Sequence, residues 1–152
     1  MPQIQTKFFG DLEYGPDSLY QFRSGLPGFE DQRAFVFLNL PHRMPLLFMQ
    51  SVFNRSLCFV LLPVLVADPT YRLTLAPEEL IALDIPVHAK PKLGQDLLCA
   101  TMLCGGRSGP TANLLAPIVV NLRRRLGIQV IQVESGYSHE HMLLREDAQT
   151  TC

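Results

Sequence analysis

The chain of 152 residues has no tryptophan, no CxxC among its four cysteines, and a net charge of only −1. Each shortage excludes something. Without a global field to attract phosphate or an anionic membrane, nucleic-acid binding would have to rest on a local patch. The longest apolar run, residues 57–67 ("LCFVLLPVLVA"), is interrupted by Pro63 and falls short of the ~20 residues a spanning helix needs. The start, "MPQIQTKFFG", lacks the basic opening and apolar core of a signal peptide, so the expected location is the cytoplasm, where no disulfide is needed. Cys58 and Cys99 sit inside apolar runs and are expected to be buried free thiols. No P-loop, dinucleotide fingerprint or G-x-S-x-G elbow occurs, so neither a cofactor nor catalysis is expected.

What is present is apolar: 47% hydrophobic residues against 18% charged, enough for one domain with its own core. Short β-prone runs recur between Gly and Pro. "IQTKF" (4–8) alternates apolar and polar positions as a half-buried strand does. "SLYQF" (18–22), "AFVFLNL" (34–40), "PLLFMQSV" (45–52), "LCFVLL" (57–62), "YRLTL" (71–75) and "DLLCATML" (96–103) follow. "SGLPGFE" (24–30) has the composition of a tight turn, because Pro27 fixes φ and Gly28 accepts φ > 0 at the next position. Phe29 is expected to anchor that turn to the core.

One helix is expected over 76–84, with Pro77 at its first position, Glu78 and Glu79 in the first turn and Pro86 as the stop. Its inward residues would be Leu80 with Leu83 or Ile81. "CGGRSGP" (104–110) reads as a flexible connection, and 117–133 as strand, turn, strand. Pro117 fits a strand start or an edge. "IQVIQV" (128–133) has an apolar period of three, which suggests a bulged strand. Many short strands with frequent turn signals predict an all-β sandwich or small barrel.

Two candidate sites arise from these residues. Arg123, Arg124 and Arg125 close a strand–turn–strand unit, where successive side chains diverge and no aromatic residue is interleaved to stack bases. A solvated hairpin tip is favoured; direct RNA binding through that hairpin is the alternative. His139 and His141 could share one face of a strand as a metal pair, but His42, His88 and Cys104 show no spacing that would complete the ligand set, so no metal is expected.

"GLPGFE" (25–30), "MQSV" (49–52), "TANLLAPIVVN" (111–121) and "GIQVI" (127–131) closely resemble the FliW family of flagellar assembly factors. Order and spacing agree from "TKFFG" near the start to "YSHEHML" (137–143). The resemblance implies a small antiparallel β-barrel-like domain, taken over 1–145; the polar end over 146–152 reads as a flexible tail. It also implies a non-enzymatic cytoplasmic partner switch, which binds flagellin or, when flagellin is scarce, the carbon storage regulator CsrA. Binding would then relieve repression of flagellin mRNA translation, with neither nucleic acid nor membrane as a direct partner. Members of that family are typically strongly acidic, which suits repulsion of RNA from the bound regulator. This chain is nearly neutral, so shape exclusion would carry more of the antagonism. Among the motif residues, Phe29, Glu30, Gln50, Asn113 and Tyr137 are the expected partner contacts, with Glu30, Gln50 and Tyr137 exposed. Leu114, Leu115, Ile118 and Val120 are expected in the core.

Overall fold

A computed structural model describes residues 2–105, 109–133 and 135–143. Its strands are β1 (Gln3–Thr6), β2 (Gly10–Glu13), β3 (Leu19–Gln21), β4 (Ala34–Asn39), β5 (Leu47–Ser51) and β6 (Cys58–Pro63). They continue with β7 (Leu97–Cys104), β8 (Thr111–Ala112), β9 (Ile118–Asn121), β10 (Leu126–Gln129) and β11 (His141–Met142). Two short helices, α1 (Val64–Ala67) and α2 (Pro77–Ala82), lie between β6 and β7. The tail expected over 146–152 and the centre of the 104–110 connection lie outside the described residues.

Strands β7-β6-β5-β4-β3-β10-β9 pair in that order, and β9 returns to β7, so seven strands close a barrel. All of these pairings are antiparallel except β3 with β10, a single parallel bridge between Gln21 and Leu126. Beyond the barrel, the end of β7 pairs with β8, and β8 with β11. Hairpin β1–β2 forms its own two-stranded sheet.

The barrel interior is filled by Phe22, Leu26, Phe35, Met49, Leu61, Ala100, Ile118 and Val120. Gly127 supplies room there, because a Cβ on it would stand 2.7 Å from Cε2 of the buried Phe22 ring. A second core lies outside the β7–β9 wall, built from Cys99 and Val119 with Val64, Tyr71, Leu83, Ala112, Leu114 and Val130. Adjacent residues of β9 therefore serve two cores: Ile118 and Val120 face inward and Val119 outward. All four β9 residues are buried, which explains why "PIVV" shows no polar alternation.

The expected helix is shorter than the predicted 76–84 span. Ala76 N–H donates to the Glu79 carboxylate at 2.7 Å, which fixes its start. Leu83 is fully buried and Ile81 is 72% exposed, so Leu83 is the inward residue. Three local expectations are corrected. Pro63 ends β6, and the apolar run beyond it turns into α1. "YRLTL" forms no ladder; Thr74 instead pairs its N–H and C=O with the Gln132 side-chain amide at 2.8 and 2.7 Å. "IQVIQV" carries no bulge, since Val130 N–H to Pro117 O and Gln132 N–H to Leu115 O keep the β9–β10 register.

Candidate functional site: a barrel end and its flank

Two of the quoted motifs meet at one end of the barrel. The turn of the first is closed by Phe29 N–H donating to Leu26 O at 2.7 Å, with Pro27 and Gly28 (φ +85°) as its central pair. That is the expected Pro-Gly turn. Gly25 (φ +65°) is required as well, because a Cβ there would stand 2.6 Å from the backbone oxygens of Phe29 and Glu30. The Phe29 ring meets Phe59 edge-on at 5.4 Å yet stays 38% exposed, so it is only half anchored. Glu30 is exposed, and its carboxylate accepts the Gly28 N–H at 2.8 Å.

The second motif forms the end of β5 and the loop to β6. The expected exposure of Gln50 is overturned, for it is fully buried. Its amide donates to Ser51 O, Asn54 O and Arg55 O at 3.1, 3.3 and 3.4 Å and so organises the loop from within. Ser51 Oγ accepts the N–H groups of Phe53 (3.3 Å) and Asn54 (3.0 Å) and donates to the Gln32 side chain. That last bond ties the 51–57 loop to Gln32, whose own N–H donates back to Phe29 O of the turn at 3.0 Å. The result is a cross-braced platform displaying Phe53, which is 78% exposed. Phe53 lies just beyond "MQSV", and sequence alone does not distinguish a displayed aromatic residue from a core one.

Asn113 and Tyr137 belong to the outer layer. Asn113 Oδ1 accepts the Ala116 N–H at 3.1 Å, a turn-holding role. Tyr137 is half-buried: its ring stacks on Tyr71 with centroids 4.2 Å apart, and its hydroxyl accepts the Arg72 N–H at 2.9 Å. Tyr71 in turn donates to Leu114 O at 2.6 Å. Burial, with the nearby Cys99, Tyr137 and Asp68 adding to it, holds the Tyr71 hydroxyl well above the usual phenol range.

The arginines lie in the four-residue turn between β9 and β10, as expected of a hairpin tip. Asn121 shapes the turn, its Oδ1 accepting the N–H groups of Arg123 and Arg124 while its amide donates to Leu83 O at 2.7 Å. Arg124 pairs with Asp84 at 3.1 Å and Arg125 reaches Asp17 at 3.7 Å, so two of the three cations already face carboxylates. His139 lies 3.6 Å from the Glu140 carboxylate, and His141 pairs with Ala112 in β11. Among the described residues, no three His, Cys, Asp or Glu side chains converge as a metal site. Cys58 and Cys99 are free thiols, pushed up to about 11 and about 12 by burial; Cys58 is only half-buried. No helix among the described residues is long and apolar enough to cross a membrane.

The family model described as "FliW protein" matches residues 3–143. The chain belongs to the FliW family. It is 37% identical over 144 residues to the flagellar assembly factor FliW of Geobacillus kaustophilus, covering 95% of this chain and 96% of that one. The corresponding protein of Syntrophomonas wolfei is 28% identical over 145 residues, covering 94% and 89%. A crystal structure of the flagellar assembly factor FliW superposes with a TM-score of 0.83 at 36% identity, covering 95% of this chain and 99% of the other. As a FliW-family barrel, the chain carries its motif residues in two roles. Gly25, Gln50, Ser51 and Asn113 build the fold, while Phe29, Glu30 and the adjoining Phe53 are presented to solvent.

Proposed function

We propose that this chain is a cytoplasmic, non-enzymatic flagellar assembly factor that binds flagellin and, alternatively, the translational regulator CsrA. Family membership across residues 3–143 is the observation that carries this reading. The braced barrel end is physically suited to the task. Ordering a loop on binding costs free energy, and a loop already held by Gln50 and Ser51 avoids much of that cost. If the two partners exclude one another, free flagellin lowers the fraction of this protein available to the regulator by simple linkage. Flagellin mRNA then returns to repression as flagellin accumulates.

The arginine hairpin contributes little to RNA affinity in this reading, because Arg124 and Arg125 are paired with Asp84 and Asp17. Antagonism of the regulator therefore rests on shape more than on repulsion of RNA. The direct test is immobilised regulator loaded with this protein and challenged with purified flagellin. Release of the protein in proportion to flagellin supports the switch. A stable three-protein complex, or no binding to either partner, overturns it.

A further inference from the structure

Beside the braced loop, the flank of the barrel carries a second feature, built in part from Phe8 and Phe9 of "TKFFG". Hairpin β1–β2 lies against the outside of β5 and β6, linked by Lys7 N–H to Arg55 O at 2.9 Å and by Phe9 meeting Phe48 edge-on at 5.5 Å. Between them runs a groove of about 480 Å³ with the part-buried Phe9, Phe48 and Val60 on its floor and the exposed Phe8, His42 and Arg43 on its rim. Phe8 is 57% exposed. Among the described residues, no carboxylate lines the groove. Lys7 lies over the Phe8 ring at 5.5 Å, and Arg55 follows on the adjoining loop. Among the described residues, Lys7, Arg43 and Arg55 have no ion-pair partner.

An apolar floor bordered by one sign of charge, on a chain whose net charge is −1, selects its occupant. We propose that this groove is a docking site for a partner-protein segment that presents apolar side chains on one face and Asp or Glu along its border. The apolar face fills the space over Phe48 and Val60, and the carboxylates meet Arg43 and Lys7. The groove adjoins the Phe53 loop through Arg55, so one partner can engage both. The inference rests on the reading of this chain as a partner-binding protein, to which it adds where and by what chemistry a partner is held.

The test uses the intact chain and two synthetic amphipathic helical peptides with the same leucine face, one bordered by Glu and the other by Lys. Amide shifts in an NMR titration locate binding. Shifts at residues 8–9, 43 and 58–60 with the Glu peptide, and none with the Lys peptide, are expected. The exposed substitution Arg43→Glu weakens that binding about tenfold, and Phe8→Ala about thirtyfold. Equal shifts with both peptides, shifts elsewhere, or none would overturn the proposal. So would binding confined to phosphatidylglycerol vesicles, which would mark a lipid-facing patch. A parallel titration with flagellin separates the two readings. If flagellin binds wild type and both variants equally well, the groove assignment fails and the partner switch stands. If the Glu peptide binds and neither flagellin nor regulator does, the switch fails and the groove stands.

Discussion

The β7–β9 wall and the β5–β6 wall line the same barrel interior but differ on the outside. Outside β7 and β9 lies a second core, in which Cys99 and Val119 meet Val64, Tyr71, Leu83 and Leu114. Outside β5 and β6 the cover is a small hairpin that leaves Phe8, Phe48 and Val60 around an open groove. A wall covered on both faces is committed to stability. A wall covered on one face retains exposed apolar surface, and the display of Phe53 at its edge belongs to that side.

Substitutions can break or sharpen this contrast. The largest effect is expected at Ile118→Ala, which empties fully buried space in the doubly covered wall and costs about 3 kcal/mol. Val60→Ala on the open wall costs about 1 kcal/mol; urea unfolding of both variants measures the gap. Gln50→Ala leaves three loop carbonyls without their shared donor and costs about 2 kcal/mol. Hydrogen exchange in 51–57 should rise with it, whereas Phe53→Ala should leave stability unchanged.

Alkaline pH probes the doubly covered wall through its buried thiol. Below the ordinary value of 9.0, Cys99 is neutral both folded and unfolded and adds no pH dependence. Between 9.0 and about 12, the unfolded chain loses the proton that burial makes the folded chain keep, so stability falls as pH rises. Thermal melts up to about pH 11 should show the decline, shallower in Cys99→Ala by about 1 kcal/mol per pH unit. Tyr71→Phe removes the hydroxyl bond to Leu114 O and costs about 1 kcal/mol by the same unfolding assay. Arg124→Ala, losing only an exposed pair with Asp84, should shift stability by less than about 0.5 kcal/mol.

Legibility in sequence followed the same division. Strands covered on one face, the Pro27–Gly28 turn and the arginine hairpin could be read locally, because their signals are local: alternation, fixed φ and a Gly-containing connection. What could not be read were pairings made by side chains. Gln132 occupies the ladder position beside Thr74, so an apparent strand at 71–75 became a clasped loop. Gln50, a polar residue in a surface-type motif, proved fully buried because the loop it supports folds back over it. Phe53 and the Phe8–Phe48 groove depend on where a hairpin lands, which no periodicity encodes. Charge misled least: the three arginines lacked stacking partners in sequence, and two of them found carboxylates in the fold.

The most direct test of the contrast is hydrogen exchange on the intact chain, alone and saturated with flagellin. Added protection is expected in peptides covering 7–9, 40–48 and 51–60, with the outer layer at 71–89 and 135–143 unchanged. Protection confined to that outer layer, with the groove and the Phe53 loop exchanging as in the free chain, would contradict the assignment of partner binding to the open wall.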